Sequence, residues 1–473
     1  MNRGSAGTKI IVLGLIIFLA AVPWYFIISR NLDSFFSDEP PPAPTIPVIE
    51  PDNRPPEIEV PHEPTPSPSP SPTPEVIHDP DDDDDEPEEK VFNVKTANPD
   101  LYKELNDAVS GYDAIAVSLV LFDSETDKYF TYEYGYADAE ERRPVDTDTK
   151  FRAASLSKLT TVICAMVLVD KNMIDLDTDI SIYLGYEVKN TNFPGSAITM
   201  RMLMQHTSSI FDSGAFQLSR DRNSSESVRF LLERGSSFRR NQPGTNFEYT
   251  NFGFSVIGAI CENVSGKSLD TLAREILFEP LDIDAAYVPS KMNDTENIAV
   301  LYNDRHAVTR DVKAQLDIEE SEILGHDLHL AQGNLTISMI DYARILAMLG
   351  NNGILNGVRI LSSESVRAIN RADVEGAAYE QGLGTRFSVG SFMPGEGFYW
   401  HTGSAYGVYA QYLYSTAQGS SRGVAVVTTG ATTDRETNGM VGICTELSAI
   451  IWKEIFLSTD EDENDPDEGI DED

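Results

Sequence analysis

The chain has 473 residues, 41% of them hydrophobic, and a formal net charge of −40. That is enough apolar material for a sizeable core, while the absence of a basic surplus argues against a nucleic-acid partner, because phosphate binding needs a positive footprint. The acidity is concentrated: residues 31–90 carry 18 acidic and two basic side chains, residues 458–473 carry ten acidic and none basic, and the body between them is only moderately acidic.

The first element is an uninterrupted apolar run from Ile10 to Ile28, preceded by Arg3 and Lys9. Its length matches a bilayer core of about 30 Å, and Trp24, Tyr25 and Phe26 continue it where a cleavage site would fall. It reads as an uncleaved signal anchor within residues 1–30. The basic residues before the span place the amino terminus in the cytoplasm of a bacterial cell and the body outside. Residues 31–90 follow with "PPPAP", "PSPSPSPTP" and "DDDDDEPEE". Proline removes backbone donors and like charges repel, so this stretch reads as a disordered spacer, on the order of 190 Å long if fully extended, that could carry the domain into the cell wall. The acidic tail, 458–473, reads as disordered too.

Residues 91–457 form one folding unit. "AIAVSLVLFD" and "KYFTYEYGYAD" read as two strands joined by the polar turn "SETD". "LTTVICAMVLVD" is a buried helix. "FGFSVIGAICENVSG" and "ISMIDYARILAMLGNNG" are helices ending at glycine. Strands return at "GFYWHTGS", "GVYAQYLYS" and "RGVAVVTTG", and "GICTELSAIIWKEIFL" closes the chain as a helix. The expected fold is α+β: an antiparallel sheet built from both ends of the domain, flanked by helices in three layers, with a mainly helical lobe inserted. Cys164, Cys261 and Cys444 lie far apart in apolar surroundings and read as buried thiols.

Three short patterns carry chemistry. In "FRAASLSK", Ser155 and Lys158 share a helix face at i and i+3, so the amine can reach the hydroxyl. In "FEYTNFGF", Tyr249 and Asn251 project to the same side of an extended segment, where one can manage a proton and the other position a substrate amide. In "WHTGSAYG", His401, Thr402 and Gly403 sit on a strand whose edge offers N–H groups to an oxyanion, and Gly403 admits a substrate backbone. Each has a bland alternative: a polar helix start, a buried tyrosine, a satisfied strand histidine. Two further patterns carry less. "GSSRG" (419–423) lies between strands, where a nucleophile elbow needs a strand-to-helix turn, and "HDLH" with His326 and His329 reads as a loop without zinc-ligand spacing.

The order of the three patterns, with their flanks, resembles the serine β-lactamase and penicillin-binding family over roughly residues 110–430, in particular class C β-lactamases and D-Ala-D-Ala carboxypeptidases. "GYADAEERRPVDTDTKFRAASLSK", "LDTDISIYL", "ITMRMLMQHTSSI", "QPGTNFEYTNFGFSVIGAICENVSG" and "EILFEPLDI" carry the likeness. The resemblance implies Ser155 as acylated nucleophile, Lys158 as its proton partner, Tyr249 as shared general base and acid, and Asn251 as a substrate hydrogen-bond donor. Thr402 would contact the substrate carboxylate, and the backbone N–H groups of Ser155 and Ser404 would form the oxyanion hole. No metal or cofactor is implied. His401 stands where lactamases of this branch usually carry lysine; partly charged near its ordinary pKa, it should bind a carboxylate less well as pH rises. Ser209 stands where the family commonly has glycine, and His206 reads as structural. The expected activity is a D-alanyl-D-alanine carboxypeptidase-like or β-lactamase-related serine hydrolase acting on a small peptide or β-lactam-like substrate. Alternatives are an esterase or amidase on small substrates and a slow-turnover β-lactam or muropeptide sensor.

Overall fold

Eight consecutive residues of the strand Ala116–Asp123 are buried, which requires cover on both faces. A computed structural model supplies that cover. It describes residues 90–222, 227–376, 378–389, 397–416, 421–432 and 439–457. The predicted membrane anchor, the linker up to residue 89 and the acidic tail lie outside the described residues, as do the first two residues of "GSSRG". No helix among the described residues is long and apolar enough to cross a membrane.

The sheet uses β1 (Lys90–Asn93), β2 (Ala116–Asp123), β3 (Lys128–Asp138), β4 (Arg386–Val389), β5 (Gly397–Ala405), β6 (Val408–Ser415) and β7 (Arg422–Thr429). Their order is β1-β3-β2-β7-β6-β5-β4, extended past β4 by two-residue strands at 380–381 and 374–375. Both ends of the domain therefore meet at the β2–β7 pair, where Ala116 faces Thr429 and Asp123 faces Arg422. Every pairing on this path is antiparallel except β1 with β3, a parallel edge pair the sequence did not announce. It was hidden because "KVFN" is largely exposed and pairs through its backbone.

Alternation along the strands sends side chains to two cores. Val117, Leu119, Leu121, Val424 and Val426 pack on α1 (Pro99–Ser110) and, near the carboxyl end, α5 (Gly442–Trp452). Val120, Phe122, Ala425 and Val427 face the larger core of the helical lobe, built on α2 (Ser157–Asp170), α3 (Phe252–Ser265) and α4 (Met339–Gly350). This is the expected three-layer α+β arrangement. The three cysteines are buried and form no disulfide among the described residues.

Two boundaries differ from expectation. Helix α3 ends at Gly266, whose φ of 70° is the left-handed cap anticipated. Helix α4, however, starts at Met339, because Thr336–Ser338 pairs antiparallel with Lys150–Arg152 and clasps the two ends of the helical lobe together. It stops at Gly350 with Asn351 as cap.

Candidate active site

Ser155 does not lie on α2 itself. It occupies a 3-10 turn, Ala154–Leu156, directly before it. Ala154 has φ 48°, a left-handed conformation that costs a non-glycine residue about 1 kcal/mol. The turn is pinned from below: the Ser157 hydroxyl donates to the Ala154 carbonyl at 2.6 Å and accepts from the Leu335 N–H at 3.0 Å, while Tyr342 donates to the Leu156 carbonyl. From the side it rests on β5. A Cβ on Gly403 would fall 2.6 Å from the Ala153 carbonyl oxygen and 3.2 Å from the Ser155 nitrogen. The bare position predicted to admit substrate instead admits the nucleophile's own turn.

Lys158, on the first turn of α2, is fully buried. Its Nζ lies 3.1 Å from Ser155 Oγ, 2.9 Å from Asn251 Oδ1 and 2.7 Å from the Gln332 carbonyl oxygen. Tyr249, in the loop before α3, donates its hydroxyl to Ser155 Oγ at 2.9 Å. The orientation of Asn251 is fixed by Asp212, which accepts from its side-chain amide at 2.8 Å and from the backbone N–H groups of Asn251 and Phe252, each at 2.8 Å. Asp212 thereby caps α3 with a carboxylate at the positive end of the helix dipole. It also forces the amide oxygen of Asn251 toward Lys158. Sequence reasoning missed Asp212, although it is the one acidic residue between Glu187 and Asp221 in an otherwise acid-rich chain.

This arrangement determines what the lysine can do. The Asn251 oxygen and the Gln332 carbonyl can only accept, so they take two Nζ hydrogens. The third valence of the nitrogen faces Ser155: a hydrogen when Lys158 is an ammonium, a lone pair when it is an amine. Burial lowers the Lys158 pKa from its ordinary value, opposed by the neighbouring Tyr249 and Asp212. In the amine form the lone pair would face the serine proton, with the tyrosine hydroxyl on the same oxygen.

Above the serine opens a cavity of about 550 Å³, lined in part by Ser155, Tyr249, Asn251, Thr402 and Ser404. Beyond Trp400, which pairs with Arg386, strand β5 has no partner on its β4 side among the described residues, so residues 401–405 offer a backbone edge beside the nucleophile. Asn251 gives one amide hydrogen to Asp212, which leaves a second that can be donated.

His401 departs from expectation. It is 1% exposed, and its Nδ1 lies 2.8 Å from the Thr402 carbonyl, which requires a proton on Nδ1 and leaves Nε2 as an unprotonated nitrogen without a partner. Burial, then Arg386 and Lys158, hold its pKa well below the ordinary histidine value. That direction runs against the partly charged carboxylate ligand that sequence position suggested. The cation at that end of the cavity is Arg386, which the sequence reading passed over. Its guanidinium carbon lies 4.9 Å from the Trp400 ring centroid and 4.6 Å from that of Tyr379, and it makes no ion pair among the described residues.

His206 is structural, as expected. Its Nδ1 accepts from the Thr250 N–H at 3.2 Å and its ring packs 4.6 Å from Tyr249, fixing the loop that presents the tyrosine. Burial, with Lys158 and Arg386 nearby, keeps it neutral too. Ser209 has φ 65°, the conformation for which glycine is favoured, and its hydroxyl accepts from Asn190 at 2.9 Å. In "HDLH", Asp327 accepts from the N–H groups of His329 and Leu330 and so starts a short helix.

The beta-lactamase family model matches residues 105–441 of this chain. The chain belongs to the beta-lactamase family. Among curated proteins it is similar to penicillin-binding protein 4* of Bacillus subtilis, with 27% identity over 177 residues, 36% of this chain and 38% of that protein. This chain thus spans little more than a third of the length of that relative. Among solved structures it superposes on the D-amino acid amidase of Ochrobactrum anthropi with a TM-score of 0.58 at 20% identity, covering 76% of this chain and 99% of that one. A class C beta lactamase from Rhodobacter sphaeroides gives a TM-score of 0.56 at 17% identity, over 74% and 98%. These likenesses establish the fold, with the helix-flanked sheet and inserted lobe described above.

Proposed function

We propose that this chain is a serine hydrolase that forms an acyl-enzyme on Ser155, D-alanyl-D-alanine carboxypeptidase-like toward peptidoglycan peptides and reactive with β-lactams. The observation that carries this is the third valence of Lys158, aimed at Ser155 Oγ because Asn251 and Gln332 occupy the other two. Neutral Lys158 takes the serine proton as Oγ bonds to the carbonyl carbon, and the backbone N–H groups of Ser155 and Ser404 receive the developing oxyanion. Tyr249 gives its hydroxyl proton to the leaving nitrogen as the C–N bond breaks and regains one from the Lys158 ammonium, and water then releases the acyl group by the reverse sequence. Arg386 and Thr402 hold the carboxylate of the leaving residue, which favours a peptide with a free carboxyl end over a neutral ester or amide.

Intact-protein mass spectrometry tests this reading. Incubation with benzylpenicillin should add one acyl mass, and with a D-Ala-D-Ala peptide should release D-alanine. Ser155→Ala should abolish both. Labelling that persists in the variant sinks the assignment. Labelling without release of either product identifies the slow-turnover sensor, and turnover of small esters with an inert peptide identifies the esterase. The apolar run Ile10–Ile28 supports a membrane anchor with the catalytic domain outside the cell. Co-sedimentation with membranes and digestion by external protease would bear this out; recovery in the soluble cytoplasmic fraction would refute it.

A further inference from the structure

Besides Arg386, a second arginine lines the cavity, and a third packs against the same ring as that second one. Arg152 lines the cavity together with Tyr406. Its guanidinium carbon lies 5.0 Å from the Tyr406 ring centroid, and that of Arg310 lies 4.2 Å from the centroid of the same ring. Neither arginine makes an ion pair among the described residues, and Arg152 Nε is buried without a hydrogen-bond partner. Burial, with Arg310 close by, pushes the Arg152 pKa down to about 10. Two guanidiniums sharing one ring repel each other, and a third charge of opposite sign is what relieves that. The backbone that carries the ring is left-handed and fixed: Tyr406 has φ 54° in the tight β5–β6 turn ahead of Gly407, and Thr309 donates its hydroxyl to the Tyr406 carbonyl.

Position along β5 gives the stack its meaning. Gly403 abuts the Ser155 turn; Arg386 pairs at Trp400 on one side of it, and Tyr406 follows three residues beyond on the other, about 10 Å along the strand. No aspartate or glutamate among the described residues lines the cavity. If Arg386 receives the leaving-group carboxylate, the opposite cation faces the acyl portion.

We propose that Arg152, Tyr406 and Arg310 form a second anion subsite, and that the substrates of this chain carry an acidic group on the acyl side of the scissile bond as well as on the leaving side. The inference rests on the reading of Ser155 as the acylated residue. An acyl carboxylate there meets the cavity-lining guanidinium of Arg152 and sets the acyl chain along β5, while Tyr406 holds both guanidiniums over its ring.

The test compares the acylation rate of the full chain by benzylpenicillin and by carbenicillin, which differs by one added carboxylate on the acyl side chain. The carbenicillin/benzylpenicillin rate ratio should be about ten or more in the wild type at low salt and shrink as salt is raised. It should fall to about one in Arg152→Gln and in Arg310→Gln, and stay high in Arg310→Lys, which keeps the charge. The ratio rather than either rate is read, so a variant that is partly misfolded still reports. A wild-type ratio near one, or a high ratio that both glutamine variants retain, overturns the subsite alone. No Ser155-dependent labelling by either probe removes the acyl-enzyme reading and this inference with it.

Discussion

The cavity floor and its walls handle positive charge in opposite ways. On the floor, every donor of Lys158 has a protein acceptor: Ser155, Asn251 and Gln332. On the walls, Arg386 and Arg152 have neither ion pair nor side-chain hydrogen bond among the described residues and lean on aromatic rings instead. A buried lysine whose three valences all meet protein partners is complete without a ligand, and its geometry is set by the fold. A cation supported only by ring faces keeps its directional hydrogen bonds available for an anion. The floor therefore decides whether Ser155 reacts, and the walls decide with what.

Substitutions can break that division. Lys158→Met should lower the acylation rate by about 10³-fold or more for every acyl donor alike, measured by time-resolved labelling with a fluorescent penicillin. A loss confined to acidic donors would place Lys158 with the walls. Arg386→Gln should be smaller and selective. We expect KM for a D-Ala-D-Ala peptide to rise about ten- to a hundredfold with little change in kcat, and a neutral ester to be barely affected. An equal effect on both substrates would place Arg386 with the floor. The smallest effect is expected of His401→Gln, read in the pH–rate profile. Lys158 works as a base only when neutral, so the rate should fall as pH drops through its lowered pKa, in wild type and variant alike. His401 is already neutral near pH 7, with its pKa well below the ordinary value, so its loss should not move that limb. A limb near pH 6.5 that vanishes in the variant would restore His401 to a titrating role.

Much of the fold was legible because its strands and helices announce themselves through side chains. The pair Ala116–Asp123 and Lys128–Asp138 begins and ends within two residues of where the apolar runs do. Helix α1 was overlooked although its signals are local: Asn98 caps it, Pro99 opens it, and Leu101, Leu105 and Val109 form its buried stripe. Ser155, Lys158, Tyr249 and Asn251 were legible as spaced patterns, and the structure brings all four together. What could not be read is whatever is expressed through the backbone or through distant partners. Asp212 acts on N–H groups that any residue would carry. Gln332 contributes only its carbonyl. For His401 the strand was legible, whereas burial and Arg386, which hold its pKa down, are properties of the assembled sheet.

The seat of the Ser155 turn on Gly403 has a consequence for how the protein comes into being. Nucleophile and seat are drawn from opposite halves of the chain, and a Cβ at the seat would meet the Ala153 carbonyl. A slip of β5 by one residue would bring Thr402 or Ser404 to that place and push the turn away. Reactivity at Ser155 can therefore emerge only after the long stretch of chain between Ser155 and Gly403 has closed in the correct register. Covalent labelling of this serine doubles as a stringent assay for completed folding, blind to every partly assembled form.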